Sequence, residues 1–370
     1  MIAELRLRNF KCFAELDLKL APLTILSGGN GAGKSSIIQS LLLLRQSALH
    51  GELTRGRTVF NGDLVRLGSA AATLRDDAPI GATIEIGLTW TDGHSAGFRL
   101  SDEPNKLAAT ESAAWLGLPP VASCRYVSAE RIGPRAAFPT SDVLVRTADE
   151  IGSQGEFAAH YLAVNGPLTI PLPQLHFTAE ALGVEGSDAA SAKLKDEVEG
   201  WLGLLTPGVR LDAELQETTD VVSLGFKFPG PTGLSDARRS THVGFGLTYI
   251  LPILVAILSA RPGTLVIIEN PEAHLHPGAQ RLLVQLFARA AEAGIQLIIE
   301  THSDHVLNGV RVAVRRKTLK ADNVAIHFFA HNATGQPQIT SPRVQQSGAI
   351  SEWPRGFFDE WDRALDDLLG

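Results

Sequence analysis

Ten consecutive residues, Ser27-Gly28-Gly29-Asn30-Gly31-Ala32-Gly33-Lys34-Ser35-Ser36, contain the pattern G-x-x-x-x-G-K-S. Residues of these types at this spacing cradle phosphates, as in P-loops. The glycines let backbone N–H groups turn inward around phosphate oxygens. The lysine reaches the β- and γ-phosphates, and the serine hydroxyl holds Mg²⁺. On this reading Asn30, Gly31, Ala32, Gly33, Lys34, Ser35 and Ser36 bind the cofactor, Ser35 is a metal ligand, and the ligands are ATP and Mg²⁺. The alternative is a glycine-rich turn that merely precedes a lysine.

Two further stretches carry candidate chemistry. Thr264-Leu-Val-Ile-Ile-Glu269-Asn270-Pro271-Glu272 is an apolar run ending in an acid, the Walker B arrangement. An acid at the end of such a strand holds Mg²⁺ directly or through water, which makes Glu269 the second candidate metal ligand. Leu297-Ile-Ile-Glu300-Thr301-His302-Ser303 ends another apolar run, and a histidine there is placed to touch a γ-phosphate. Either stretch alone is equally well a buried strand with a polar end. The three in order are a stronger signal.

The elements around these residues suit the task. Pro22–Leu26 is a short apolar run ending at glycine, and Ile37–Leu44 reads as a buried helix, so the glycine loop lies between strand and helix. Residues 2–10 and 13–20 alternate as two strands. Residues 81–100 form a hairpin about Asp92-Gly93, and 102–120, rich in Ala and Pro, read as loop. Helices are expected near 156–165 and 188–204, and strands over 211–228. From 243 onward a helix (247–260), strand (264–268), helix (277–293) and strand (295–299) follow βαβ logic and imply a parallel sheet.

Composition narrows the classes. With 370 residues, 44% hydrophobic and 20% charged, the chain can bury a large core. A net charge of −7 argues against a globally basic nucleic-acid binder. Cys12 and Cys124 lack metal spacing and fit a reducing, cytoplasmic setting. Residues 1–20 do not read as a signal peptide, and 243–260, interrupted by Gly244, Gly246 and Pro252, reads as a core helix rather than a membrane span.

Taken together, Asn9-Phe-Lys-Cys-Phe13, the P-loop, Val243-Gly-Phe-Gly-Leu-Thr-Tyr-Ile-Leu-Pro252, Glu269–Pro277 and Thr301-His-Ser303 resemble the ABC-type ATPases of the RecF/SMC/OLD branch. The tail Trp353-Pro-Arg-Gly-Phe-Phe-Asp359 is similar to that of the compact bacterial AAA-type members. The motifs cover 1–75 and 239–361. The resemblance implies an α/β fold: a P-loop NTPase, ABC-type head with mixed sheet, antiparallel β subdomain and helical insertion. The expected organisation is one head, 1–370, with a P-loop lobe (1–75), a β/helical insertion (76–238), a lobe carrying signature, Walker B and switch histidine (239–340), and a C-terminal tail helix (341–370). It also implies a homodimer that traps ATP between the P-loop of one subunit and the signature loop of the other. Gly244, Gly246 and Thr248 occupy the signature slot, with Thr248 a candidate hydroxyl. The glycines serve equally a tight turn before a core helix.

One departure stands out. The residue after the Walker B acid is usually a glutamate in this superfamily, and here it is Asn270. An amide orients water but is no general base. Glu272 is the candidate substitute and His302 matches the switch histidine, so Glu269, Asn270, Glu272 and His302 form the candidate catalytic set, with slow turnover expected. His274 and His276 have no accompanying Cys or carboxylate cluster and read as structural. Arg131 and Arg135 border a nucleotide or a partner. Arg311, Arg315, Arg316 and Lys317 form the densest basic run, a candidate DNA contact or a solvated helix face.

Three functions follow. The first is an ATP-driven switch or sensor acting on a separate effector, a nuclease or toxin, in phage defence. The second is a RecF-like DNA-binding repair clamp. The third is an ATP-gated binding module with little hydrolysis.

Overall fold

The computed structural model describes residues 1–370 apart from 101–106, 110–122, 184–187, 355, 359–364, 366 and 369–370. The chain forms two compact units: Met1–Cys124 with Lys320–Gly370, and Arg125–Leu319. These boundaries differ from the motif-based divisions at 75/76, 238/239 and 340/341, because the strand at Val324–His331 pairs back onto the N-terminal part of the chain.

In the first unit, Ile2–Phe10 is the hub of an antiparallel sheet, paired with Phe13–Lys19 on one side and Ile84–Trp90 on the other. The alternation foreseen from sequence holds. Leu5 and Leu7 are fully buried, while Arg8 on the other face meets Asp17 at 2.9 Å. Ser95–Leu100 continues the sheet. Within the stretch read as loop, Leu107–Ala109 adds a further strand against Ser95–Leu100, where backbone pairing outweighs the Ala-rich composition. The rest of 102–120 lies outside the described residues.

The P-loop strand, Leu23–Gly28, pairs in parallel with Val324–His331, which pairs antiparallel with Pro337–Thr340, so the pairing is mixed. Helix Lys34–Leu49 leaves the glycine loop. The tail differs from the expected helix over 341–370. Residues 341–354 hold no helix, and Phe357 is buried against Phe328 with ring centroids 5.2 Å apart. Leu365, Asp367 and Leu368 are helical, whereas Trp361 and Leu369 lie outside the described residues.

In the second unit, the strands Leu265–Glu269 and Gln296–Glu300 run parallel, joined by helix Pro277–Glu292. Both are near-continuous Val/Ile/Leu runs because both faces are covered. Helix Phe245–Leu258 buries every residue from Ile250 to Leu258. Arg210–Gln216 and Val221–Lys227 form an antiparallel hairpin, with helices Ala158–Asn165 and Leu194–Leu202 in the same unit. Helix Asp304–Arg315 is capped by the Ser303 hydroxyl and ends at Arg315, so Arg316 to Lys320 lie beyond the helix expected to carry them. Among the described residues no helix is long and apolar enough to cross a membrane.

Candidate nucleotide-binding site

Steric constraint explains the glycines of the P-loop. Gly28 (φ 127°) and Gly33 (φ 110°) both lie in the left-handed region. A Cβ on Gly28 would stand 2.0 Å from the Phe329 carbonyl oxygen, and one on Gly33 would stand 2.5 Å from the Phe13 ring. The loop is therefore seated on the neighbouring strand and on the turn after the first strand. Lys34 is 5% exposed, and its Nζ donates to the carbonyls of Gly28 and Gly29, both at 2.9 Å. This places the ammonium inside the loop. Asn30, Gly31 and Ser35 are exposed, while Ala32, Gly33 and Ser36 are buried. Among the described residues, the N–H groups of Gly31, Ala32, Gly33 and Ser35 meet no protein acceptor. A ring of open donors with an ammonium at the start of a 16-residue helix fits an anionic polyphosphate, and the exposed Ser35 hydroxyl fits a metal bound to it.

In the second unit the Walker B strand and the switch strand end in register, Glu269 beside Glu300. The Glu269 carboxyl is half-buried. Burial pushes it up, the Ala129 N–H at 3.3 Å pulls it down, the Glu300 charge raises it, and the Tyr126 hydroxyl and Arg131 lower it again. Tyr126 is itself pushed up by burial and by the Glu269 charge, so it stays a neutral donor. A carboxylate held by donors yet open on one side suits a metal.

Immediately after it, Asn270 adopts φ 44°, a conformation asparagine tolerates better than most residues. Its N–H donates to the Glu300 carbonyl at 2.9 Å. Glu272 is engaged by the loop after the switch strand. One of its oxygens accepts the His302 N–H and the other accepts the Thr301 hydroxyl, both at 2.8 Å. The structure thus brings Glu269, Asn270, Glu272 and His302 together at two adjacent strand ends. Glu272 there serves to hold the switch loop. The His302 Nε2 lies 3.2 Å from a Glu300 oxygen.

Gly244 caps helix Phe245–Leu258, and a Cβ there would meet nothing within 4 Å, whereas one on Gly246 would stand 2.9 Å from the His274 carbonyl. They border a cleft of about 440 Å³ also lined by Arg238, His242, His274 and His276. Thr248 corrects the sequence reading. It is 1% exposed, and its hydroxyl is buried with no hydrogen-bond partner among the described residues, so it presents no hydroxyl at the surface to a partner. His276 caps helix Pro277–Glu292, accepting the Gly278 N–H, and His274 packs against Tyr249 with ring centroids 4.5 Å apart and planes inclined at 60°. Both have structural roles, and no metal-binding group of three His, Cys, Asp or Glu occurs among the described residues.

Three family descriptions match in chain order: "AAA ATPase domain" over 1–83, "AAA domain, putative AbiEii toxin, Type IV TA system" over 210–308, and "Protein of unknown function (DUF3696)" over 319–368. An OLD nuclease of Thermus scotoductus is 25% identical over 350 residues, covering 82% of this chain and 59% of its own length. The DNA replication and repair protein RecF of Corynebacterium jeikeium is 38% identical over 74 residues, 20% of this chain and 16% of RecF. The chain therefore spans less than two thirds of either relative. These matches support an ABC-type ATPase of the RecF/SMC/OLD-like branch. In fold, this ABC-type head matches the SMC head bound to the C-winged helix domain of ScpA, at TM-score 0.50 and 16% identity, over 94% of this chain and 98% of that one.

Three residues of the site take roles that the motifs of this ABC-type ATPase do not indicate: Tyr126, Arg131 and Glu300. From the sequence, Arg131 borders a nucleotide or a partner; in the structure it lies at the turn after the Walker B acid. It is 3% exposed, and its two terminal nitrogens donate to the carbonyls of Glu269 and Asn270, each at 2.7 Å. Burial lowers its pKa to about 10, so it remains a cation at neutral pH. The signal was present in the sequence as a charged residue inside an otherwise ordered strand-to-turn segment, 125–135.

Proposed function

We propose that this ATPase is an ATP-gated dimeric switch with slow hydrolysis, acting on a separate effector such as a nuclease or toxin in phage defence. Lys34 and the N–H groups of residues 31–35 bind the phosphates, Ser35 and Glu269 bind the metal, and Gly244 and Gly246 meet the nucleotide of a second copy. Bound Mg²⁺ would neutralise phosphate charge and orient the leaving group. Asn270 and His302 orient the attacking water, while Glu272 holds the switch loop.

The observation that carries the slow-switch reading is the pairing of Asn270 with an engaged Glu272. The residue after the Walker B acid has no carboxylate, and both oxygens of the next one are hydrogen-bonded. Likeness to an OLD nuclease supports the effector context, because the aligned part is about the size of this chain. The test combines sedimentation with and without ATP and turnover with and without Mg²⁺. ATP-dependent dimers with low, Mg²⁺-dependent turnover are expected. A monomer at all ATP concentrations overturns the switch.

A RecF-like clamp is the second reading. Arg315, Arg316 and Lys317 are exposed where helix Asp304–Arg315 ends, while Arg311 is tied to Asn308. Cations there also complement the helix dipole without any ligand. Duplex DNA affinity that falls steeply with salt, and is lost on replacing Arg315, Arg316 and Lys317, would favour the clamp.

A further inference from the structure

We infer that Arg131 is a positioning residue that ties the signature helix to the turn after the Walker B acid. One terminal guanidinium nitrogen holds the Glu269 carbonyl and the other the Asn270 carbonyl, both at 2.7 Å, and the first also reaches the Ser128 carbonyl at 3.3 Å. These carbonyls flank the peptide at which the chain leaves the strand and enters the left-handed conformation of Asn270. Only a planar fork spans both, and a lysine ammonium is a point donor.

The other face of the guanidinium lies over the Tyr249 ring, 5.6 Å from its centroid. Tyr249 stands on the signature helix, two turns or less from its glycines, and forms an aromatic cluster with His274 and Phe245. Phe245 is 55% exposed next to Gly244. The contacts are continuous. An exposed aromatic at the signature end touches Tyr249, Tyr249 carries Arg131, and Arg131 sets the turn that contains Glu269 and Asn270. A surface docking on Phe245 and His274 therefore changes the environment of the side chain that holds the turn. Coupling between partner contact and the hydrolytic turn is what a dimeric switch requires, and the inference rests on that reading for its purpose.

The experiment has two parts. Amide hydrogen exchange is measured on the nucleotide-free chain, which separates the inference from ATP binding. R131K and Y249L are expected to speed exchange of the 269–273 amides by about tenfold, and Y249F, which keeps the ring, to leave it as in wild type. Exchange in the buried part of helix Pro277–Glu292, residues 283–291, stays unchanged and reports that the unit is folded. Wild-type exchange at 269–273 in R131K or in Y249L overturns the inference, as does Y249F behaving like Y249L. In steady-state hydrolysis, R131K is expected to lower kcat about tenfold with KM for ATP unchanged. Raised KM with unchanged kcat overturns the positioning role. Altered exchange in a chain that binds no ATP would leave the tie standing and remove only the switch reading.

Discussion

The Glu272 carboxylate accepts the backbone N–H of His302 with one oxygen and the Thr301 hydroxyl with the other, both at 2.8 Å. Two loops that follow adjacent parallel strands are thereby locked to each other. The orientation of the histidine depends on a residue thirty positions earlier in the chain. Glu272→Gln retains one acceptor and turns an amide NH₂ toward a donor, so one bond is lost and one repulsive contact is made. We expect a loss of about 1–3 kcal/mol in stability and a lower kcat at unchanged KM for ATP. Thermal melts and steady-state kinetics read both. Complete loss of turnover in a fully stable variant would instead make Glu272 the base.

Lys34→Ala removes the only ammonium within the glycine loop and leaves the backbone donors. ATP affinity should fall by about 10- to 100-fold, the value of a charge-assisted contact. Calorimetry with an unhydrolysed analogue measures it, and wild-type affinity would remove the phosphate cradle from this loop.

Gly244→Glu places a carboxylate where a Cβ meets nothing within 4 Å, so the fold should tolerate it. Its charge should repel the phosphates of a second copy and block ATP-promoted dimers. Gly246→Glu should also block them, but with lower stability, because its Cβ would stand 2.9 Å from the His274 carbonyl. Sedimentation and melting curves distinguish the two. Dimers formed normally by Gly244→Glu would place the seam elsewhere.

Asn270→Asp and Asn270→Glu both put a carboxylate in the slot after Glu269. The left-handed backbone there favours the shorter side chain, and Glu should cost about 1 kcal/mol more. Turnover should rise about tenfold or more in whichever variant reaches the water. Equal turnover in wild type and both variants would show that position 270 does not face the reaction.

Periodicity made much of this fold legible. The alternation of residues 2–10, the hairpin about Asp92-Gly93 and the βαβ run from 243 all appear where patterning puts them. The P-loop and the strand-end acids were legible because they are local in sequence. The roles of Arg131, Tyr126 and Glu300 were not, since their partners are brought in from distant strands. Thr248 misled because its place in a motif says nothing about which face of the helix it occupies. Leu107–Ala109 was missed because an edge strand of so few residues is decided by the neighbour it pairs with.

The parallel pairing of Leu23 with Val324 has a consequence for biosynthesis. The strand that ends in the glycine loop emerges early from the ribosome, but its partner emerges only after all of Arg125–Leu319 has been made. At ordinary elongation rates that delay is on the order of ten seconds or longer. The intervening unit can collapse on its own contacts in that time, while Phe329, on which Gly28 rests, does not yet exist. Nascent chains cut short before this strand should lack a formed phosphate loop. Nucleotide capture then requires synthesis through Phe329, and products terminated before that strand are silent.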